Sequence, residues 1–398
     1  MKATVAQPAE QPATESTFRP GAVLTVSFAH FAHDLNGAYL APLIPLLRAK
    51  MGISHTAIGL LVVLMQLPSL LNPFLGYLTD RFNAWLIVAL TPAISATAIG
   101  LLGQTDHYAV LAVLLICAGA SSMAFHLPVV RMMHEAAGNR VGLAMSIFMA
   151  GSELARALGP ILLVWVVSIW GLEGTWRLIG LGLATSLLLF WRLRGERVSQ
   201  LPRSVDPKIG QVWAALRGLF LPLSGVLFFH GLLFHTFSVF LASLVDEAGF
   251  SLQWAGAAQT SWSLAGFVGA FIGGALSDRV GRRITIAGSL VLAGLGTFFL
   301  ALVMNSGMLA LILPGLLLSG MMTSLSNPVL LAVVVEHEPR YAATSTGIYM
   351  LLELLTRMTV TLVAGAVGDS QGLAASFALA GALSLCGVFF VGRLPGVS

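Results

Sequence analysis

Apolar stretches of roughly 20 residues recur along nearly the whole chain, and short segments with glycine, proline or charged residues separate them. A helix of that length crosses the hydrocarbon core of a bilayer with its backbone hydrogen bonds satisfied internally. The pattern therefore predicts an all-α polytopic membrane protein with twelve transmembrane helices. The predicted spans are 21–45, 55–78, 84–104, 107–131, 141–168, 175–194, 214–244, 252–277, 284–304, 307–335, 343–367 and 372–392.

One long polar connection lies between the sixth and seventh predicted spans and divides the chain into two halves. We predict a disordered cytoplasmic tail over 1–20, an N-terminal six-helix bundle over 21–194, a cytoplasmic linker over 195–213 and a C-terminal six-helix bundle over 214–398.

The two halves repeat polar residues at a constant offset. Glu153 and Glu353, each inside an apolar helix, are 200 positions apart, and the same offset separates His30 from His230. Two halves of six spans run in the same direction through the membrane, as in parallel-repeat transporters, whose pathway lies between the repeats. This repeat predicts two pseudo-symmetric bundles with a central site at their interface.

Basic residues are distributed unevenly between the two predicted membrane faces. Sixteen lysines and arginines fall on the face of both termini and three, Arg48, Lys50 and Arg177, on the other. The positive-inside rule therefore predicts that both termini are cytoplasmic. Hydrophobic residues make up 57% of the chain and the basic residues sit in short loops, so the net charge of +4 does not indicate nucleic-acid binding. We expect a multi-pass protein of the bacterial inner membrane.

A charge-dense turn follows the eighth predicted span in the segment GALSDRVGRR. It fits the loop signature of the major facilitator superfamily, which the chain resembles over almost its whole length. The resemblance implies a gating motif in both halves, with a less complete first copy in GYLTDRF. Its residues are Gly274, Asp278, Arg279, Gly281, Arg282 and Arg283 in the second copy and Gly76, Asp80 and Arg81 in the first.

Within that superfamily, the N-terminal half is similar to the fosmidomycin resistance protein group, in stretches such as SFAHFAHDLNGAYLAPLIPLL and GASSMAFHLPVVRM. The resemblance implies proton-coupled export of small, often anionic compounds. The group usually has small or neutral residues at the positions of Glu153, Arg156, Glu353 and Arg357, so its substrate does not carry over. The segment ARALGP resembles the superfamily's antiporter motif and implies that Gly159 and Pro160 permit a helix bend and close packing.

Charged pairs inside the fifth and eleventh spans are the first candidate site. Glu153 and Arg156 are three residues apart and Glu353 and Arg357 four, so each pair shares a helix face. An unpaired ion at the bilayer centre costs at least ~2.5–3.5 kcal/mol, so these groups should face a cavity or each other. In the functional interpretation the carboxylates exchange protons and the arginines hold an anion. In the structural alternative the pairs lock neighbouring helices.

Histidines supply further candidates. His30 and Asp34 share one face of the first span and could form a protonation switch, while His33 points partly elsewhere. His126 in the fourth span could serve an inner gate or a relay. In the seventh span, the match of His230 with His30 makes it a better cavity candidate than His235.

These residues favour a secondary transporter that exports a small amphiphilic or anionic organic compound by proton antiport and alternating access. Its partners would be the substrate, protons and membrane lipid, with the monomer as the working unit. We expect no enzyme activity and no cofactor, because the chain has no ATP-binding loop or catalytic constellation and a proton gradient would supply the energy. Two alternatives remain open: uptake of an organic anion by symport, and transport of a divalent transition metal through a cavity lined by His and Asp.

Overall fold

The computed structural model describes residues 17–71, 85–194, 209–304, 309–337 and 342–395, and the regular structure in these ranges is helical. The helices are α1 (Pro20–Ala38), α2 (Leu40–Met51), α3 (His55–Gln66), α4 (Trp85–Gly100), α5 (Tyr108–Ala137), α6 (Val141–Trp170), α7 (Leu178–Leu193), α8 (Ile209–Glu247), α9 (Leu252–Val280), α10 (Arg282–Val303), α11 (Leu309–His337), α12 (Ala342–Gln371), α13 (Leu373–Ser384) and α14 (Gly387–Val391).

The helices occur in the predicted order. Ten helical segments among the described residues are long and apolar enough to cross a membrane. The first predicted span corresponds to α1 and α2, which are separated at Tyr39. The second begins with α3 and a short 3-10 helix, Leu67–Leu71, and its remainder lies outside the described residues. The prediction of an all-helical polytopic membrane protein is confirmed.

Several predicted boundaries differ from the structure; α5, for example, ends at Ala137, six residues past the predicted end. The first span continues to Met51, six residues past the predicted end, because Leu46 and Leu47 extend its apolar surface and Gly52 ends the helix with a φ of 64°. Helix α8 begins at Ile209, inside the segment predicted as linker. Residues 1–16 of the predicted tail and 195–208 of the predicted linker lie outside the described residues, as do Gly76, Asp80 and Arg81.

Glycines bring neighbouring helices of each half into backbone contact, in corresponding helix pairs of the repeat. A Cβ atom at Gly119 in α5 would lie 1.7 Å from the carbonyl oxygen of Met65 in α3. In the second half, a Cβ atom at Gly320 in α11 would lie 2.5 Å from the carbonyl oxygen of Trp262 in α9. Membrane helices that pack this closely gain dispersion contacts that larger side chains would prevent. The repeat seen in the sequence is therefore also a repeat of helix packing.

The molecule has two faces, which we define by its turns. The proximal face carries the start of α1, the α5–α6 and α9–α10 turns and Leu394, and the distal face carries the α2–α3, α8–α9 and α12–α13 turns. On the distal side the two halves approach each other at glycine. A Cβ atom at Gly59 would lie 3.1 Å from the carbonyl oxygen of Thr361, and one at Gly256 would lie 3.4 Å from that of Pro160. These contacts join α3 to α12 and α6 to α9, which again are matched pairs.

Polar contacts reinforce this distal junction. Thr56 at the start of α3 donates from its backbone N–H to Asp369 of α12 over 2.9 Å, and Gln253 of α9 donates to Ser168 of α6 over 3.2 Å. The Thr260 hydroxyl of α9 donates to the carbonyl oxygen of Ala157 over 2.7 Å. The described helices of the two halves thus meet through backbone, hydroxyl and carboxylate groups at the distal face.

The neighbouring residues Gly273 and Gly274 test the role of close helix packing. A Cβ atom at Gly273 would lie 2.0 Å from the carbonyl oxygen of Leu325 in α11, whereas one at Gly274 meets nothing within 4 Å. We expect Gly273→Ala to lower the thermal unfolding midpoint by several degrees in detergent, because the overlap costs about 1–3 kcal/mol. Gly274→Ala is the matched control and should leave the midpoint unchanged. Equal midpoints for both variants would contradict the packing described here.

Candidate functional site

Two histidines meet the carboxylate of Asp34 in the N-terminal half. His30 and Asp34 lie one turn apart in α1, with 3.2 Å between His30 Nε2 and Asp34 Oδ2. His126 of α5 reaches the other oxygen, with 3.4 Å between its Nε2 and Asp34 Oδ1. His30 is buried, but 42% of the His126 side chain is exposed, so the group is open to solvent on one side. The structure thus places His126 beside the predicted His30–Asp34 pair.

Helix α6 holds this group from a third side. The Ser152 hydroxyl donates a hydrogen bond to Asp34 Oδ2. The His30 ring stacks on Phe148 with 3.9 Å between ring centroids, and its Nδ1 lies 3.0 Å from the carbonyl oxygen of Phe148. Asp34 therefore has a polar partner on α1, α5 and α6, and its carboxylate is held in one orientation.

His33 does not touch the carboxylate. Its ring is 3% exposed and stacks on Phe125, with 4.2 Å between ring centroids and 8° between the planes. Its Nδ1 has no hydrogen-bond partner among the described residues. The 100° turn per residue directs position 33 away from position 34, so His33 packs into the helix bundle beside the group.

Glu153 and Arg156 form the predicted ion pair on α6. Ser152 and Gly159 on this helix face α1, while Ala157, Pro160 and Val164 face α9 of the other half. At 100° per residue, Arg156 points between these two directions, and Glu153 points along the α9 direction about one turn closer to the proximal face. Leu154, Leu158 and Ile161 are exposed on the opposite side of α6. The ion pair thus lies toward the boundary between the halves and away from the apolar outer surface.

The second charged pair has a different arrangement. Glu353 of α12 lies 3.6 Å from His235 Nε2 of α8 and is hydrogen-bonded to Tyr349. Arg357 lies close enough to Glu353 for their charges to attract, yet no ion pair within 4 Å joins them among the described residues. The predicted equivalence of the Glu353–Arg357 and Glu153–Arg156 pairs is therefore not seen in the side-chain contacts.

Both histidines of α8 are buried, and both have partners within the C-terminal half. His230 Nε2 lies 2.9 Å from the carbonyl oxygen of Thr323 in α11, whereas His235 Nε2 lies 3.6 Å from the Glu353 carboxylate. The repeat offset had favoured His230, and the contact of His235 with Glu353 was not predicted. The sequence feature that could have indicated this contact is Gly231, one turn before His235, because a glycine there lets α12 approach α8 at Thr356.

Charges from the two halves act on each other across the boundary. The positive charge of Arg156 on α6 acts electrostatically on His126 of its own half and on Arg357 of α12 in the other half. Arg357 lies on α12 between the direction of α8, marked by Thr356, and that of α3, marked by Thr361. The two arginines thus face a common region between the halves. Two guanidinium groups that repel each other there form a suitable binding site for an anion.

The complete copy of the gating motif joins three helices of the C-terminal half. Gly281 has a φ of 94° and so makes the turn between α9 and α10. Arg282 pairs with Asp278 over 2.7 Å and with Glu336 at the end of α11 over 2.8 Å. Arg283 donates to the carbonyl oxygen of Leu394. The motif therefore fastens the proximal ends of α9, α10 and α11 to one another.

Gly159 and Pro160 lie within α6, which remains one helix from Val141 to Trp170. A Cβ atom at Gly159 would lie 2.5 Å from the Cβ atom of Ala38, just before the break between α1 and α2. The close packing predicted for this segment is present, and it brings α6 against the first span.

A charged cluster at the distal face was not among the predicted site residues. Glu247 at the end of α8 accepts from Arg48 over 3.2 Å and from His55 Nε2 over 2.5 Å, both in the other half. Asp369 of α12 accepts from the backbone N–H groups of His55 and Thr56 and thereby caps the first turn of α3. The sequence analysis used Arg48 only as a basic residue of this face, and the folded chain shows that the cluster joins the two halves.

The sequence of each half matches the model of the Major Facilitator Superfamily, over residues 26–223 and 223–397. The chain belongs to the major facilitator superfamily. It is a multi-pass membrane transporter and not an enzyme, consistent with the architecture above.

Two curated relatives match most of this transporter. It is 25% identical to the fosmidomycin resistance protein of Escherichia coli (strain K12) over 71% of this chain and 70% of the relative. It is 26% identical to the uncharacterized MFS-type transporter YfnC of Bacillus subtilis (strain 168), over 88% of this chain and 87% of the relative. The resemblance to the fosmidomycin resistance protein group is thereby confirmed.

Solved structures share the fold. A bacterial homolog of the human lysosomal transporter Spinster, in an inward-facing and occupied conformation, gives a TM-score of 0.79 at 14% identity, covering 94% of this chain and 96% of that one. Its inward-facing, unoccupied form gives 0.74 at 13% identity over 94% and 95%. The nucleoside transporter NupG also gives 0.74, at 14% identity over 94% and 99%. These similarities show that the chain shares the fold of these transporters.

Substitution of Asp369, which caps α3, tests whether the distal contacts hold the two halves together. Asp369→Asn removes the negative charge from the hydrogen bonds to His55 and Thr56, and a hydrogen bond to a charged group contributes about 1.5–3 kcal/mol. A loss of about 1.4 kcal/mol would shift the equilibrium between the closed and open distal face tenfold. We expect the distal face to open more often, so that a cysteine at the buried Thr361 reacts about tenfold faster with a membrane-impermeant thiol reagent. The background would carry Cys117→Ala and Cys386→Ala, because both native cysteines are exposed.

Asp106→Asn is the matched control for that measurement. Asp106 is also a distal carboxylate, but it pairs with Lys50 of its own half over 3.0 Å. Its replacement should leave the labelling rate at Thr361→Cys unchanged. Equal rates in the Asp369→Asn and unsubstituted backgrounds would show that this cap does not contribute to distal closure.

Proposed function

We propose that this transporter is a proton-coupled exporter of a small amphiphilic or anionic organic compound, working by alternating access. The observation that carries the proposal is the pair of arginines, Arg156 and Arg357, that face one region from opposite halves, each with a carboxylate nearby. A site that combines guanidinium groups with carboxylates can bind an anion and a proton in alternation. The name of the fosmidomycin resistance relative supports export.

The coupling step follows from the ion pair on α6. In the absence of substrate, Arg156 neutralises Glu153. An anionic substrate competes for Arg156, and the carboxylate that loses its partner then gains affinity for a proton. Arg357 also lies near Glu353, although no ion pair within 4 Å joins these two described residues, and Asp34 is a third carboxylate that could take up the proton. Substrate and proton therefore exclude each other at the same groups, as antiport requires.

The proposed orientation places the proximal face and both termini in the cytoplasm of a bacterium, with the protein in the inner membrane. The distribution of lysine and arginine supports it, because Arg48, Lys50 and Arg177 are the basic residues of the distal face. With this orientation, the distal contacts close the external side, and the central site is accessible from the cytoplasm. Export would begin with substrate entry into this state.

Energy would come from the proton gradient without a cofactor, and a single chain would suffice. Both halves of the pathway belong to the same polypeptide, and α3, α6, α9 and α12 bring them together. Besides the substrate and protons, the partner would be membrane lipid, which the exposed apolar side chains of α6 and α7 suit.

Uptake of an organic anion by symport uses the same residues and differs in the direction of flux. Transport of a divalent metal has support from the converging side chains of His30, Asp34 and His126. As cargo, however, a cation would pass a region in which Arg156 and Arg357 act together. All three metal-binding side chains also belong to one half, whereas cargo sites of this architecture lie between the halves.

Counterflow in proteoliposomes tests the coupling residues. We expect Glu153→Gln and Glu353→Gln to lose at least tenfold of the transport driven by an imposed pH gradient while retaining substrate exchange, because the amide cannot take up the proton. Glu173→Gln is the control, since Glu173 is a distal surface residue paired with Lys50. A compound panel with unsubstituted protein would identify the substrate first. Full pH-driven transport in both variants would assign the pairs a structural role.

Arg357→Gln tests anion recognition separately. Loss of a charged hydrogen bond of about 1.5–3 kcal/mol should raise the apparent dissociation constant of an anionic substrate roughly tenfold or more, with a much smaller change for an uncharged analogue. Tryptophan-quenching titrations of the purified protein measure both constants. An equal loss for the two ligands would indicate a general change of structure and no recognition of charge.

A further inference from the structure

Three ligating groups converge in the N-terminal half: His30, Asp34 and His126, whose candidate ligand atoms all lie within 4.8 Å of one another. The Nε2 atoms of the two histidines lie 3.2 Å and 3.4 Å from the Asp34 carboxylate oxygens. A tetrahedral ion with bonds of about 2.0–2.2 Å holds its ligand atoms about 3.3–3.6 Å apart. Each histidine nitrogen thus lies about one such edge from one of the two carboxylate oxygens, and the three groups are close enough to converge on one ion.

The other nitrogen of each ring is fixed by a backbone carbonyl. His30 Nδ1 lies 3.0 Å from the carbonyl oxygen of Phe148, and His126 Nδ1 lies 2.8 Å from that of Ser122. A carbonyl oxygen only accepts hydrogen bonds, so each Nδ1 carries the proton. A ring that is neutral directs the lone pair of Nε2 toward the Asp34 carboxylate, and a cation bound between them would relieve the repulsion of these groups.

This arrangement is that of histidine in metal sites, where one ring nitrogen binds the ion and the other donates to a carbonyl or carboxylate. Ser152 completes the outer layer, because its hydroxyl holds Asp34 Oδ2 from α6. The half-exposed side chain of His126 provides an entry path. The positive charge of Arg156 acts on His126, and Glu153 forms an ion pair with that arginine.

We propose that His30, Asp34 and His126 bind one divalent transition-metal ion of the zinc class. Two imidazole nitrogens and one carboxylate suit Zn²⁺ and its borderline neighbours such as Co²⁺, and leave a fourth position for water. All three ligands come from α1 and α5 of one half, so rocking of the halves does not dismantle the site. The ion is therefore a resident ligand of the N-terminal half and differs from a cargo. The proposal does not depend on the export activity above.

Equilibrium binding without a proton gradient tests the site. Untagged protein in detergent should bind one Zn²⁺ per chain by isothermal titration calorimetry, and Co²⁺ should give the intense visible absorption bands of a four-coordinate site. His126→Gln and Asp34→Asn should each weaken Zn²⁺ binding by at least tenfold and abolish the Co²⁺ bands. Ser152→Ala, which keeps all three ligands, should weaken binding about tenfold through the outer layer. His107→Gln removes an exposed histidine of the distal face and should leave the affinity unchanged.

Three results of the binding measurements would overturn the proposal. These are the absence of saturable binding in the unsubstituted protein, equal affinity in the His126→Gln variant, and loss of binding in His107→Gln alone. Thermal midpoints with and without Zn²⁺ separate misfolding from lost ligation, because a folded variant without the site keeps its midpoint but loses the increase that Zn²⁺ produces. A zinc-sensitive dye sealed in proteoliposomes should report no protein-dependent entry. Entry that His126→Gln abolishes would make the metal cargo and overturn its assignment as a resident ion.

Discussion

The energetic cost of a charge in a low-dielectric environment governs the arrangement of this transporter's interior. A carboxylate or guanidinium group held among apolar helices needs an opposite charge, a hydrogen-bond donor or water. Asp34, Glu153 and Glu353 each have such partners, and the partners come from neighbouring helices or from the same helix face. The same cost favours positions toward the boundary between the halves, where the pathway of parallel-repeat transporters lies.

The two halves share their packing but not their chemistry. The glycine contacts recur in corresponding helix pairs, since backbone approach depends only on the lack of a side chain. The Asp34 group does not repeat. The positions that correspond to Asp34, His126 and Ser152 are Phe234, Ser326 and Leu352. His230, although it matches His30, therefore has no carboxylate at the equivalent place and binds a carbonyl oxygen of α11. A duplicated scaffold has thus become two specialised halves.

Two kinds of contact close the distal face, and they respond differently when the two halves separate. Gly59 and Gly256 let the backbones of opposite halves touch, which favours a single close position. Glu247 and Asp369 add charge-assisted hydrogen bonds that break when the halves separate. Because water can replace those bonds once the face opens, their net contribution is small compared with their strength in isolation. Such a junction can keep the distal face closed in one state and still let it open during a transport cycle.

Much of the architecture of this transporter could be predicted from the sequence alone. The twelve apolar spans, the division into two halves and the motif around Asp278 were evident, because hydrophobic length and local turn chemistry are properties of short segments. The shared face of His30 and Asp34, and that of Glu153 and Arg156, followed from helical periodicity.

Contacts between distant segments were decided by the tertiary structure. Periodicity gives the direction of a side chain on its own helix but does not give the rotation of one helix against the next. For this reason the meeting of His126 with Asp34, the pairing of His235 with Glu353 and the capping of α3 by Asp369 were visible only in the folded chain. Each of these contacts joins residues more than 90 positions apart, and the close approach of helix backbones at glycine sets their geometry.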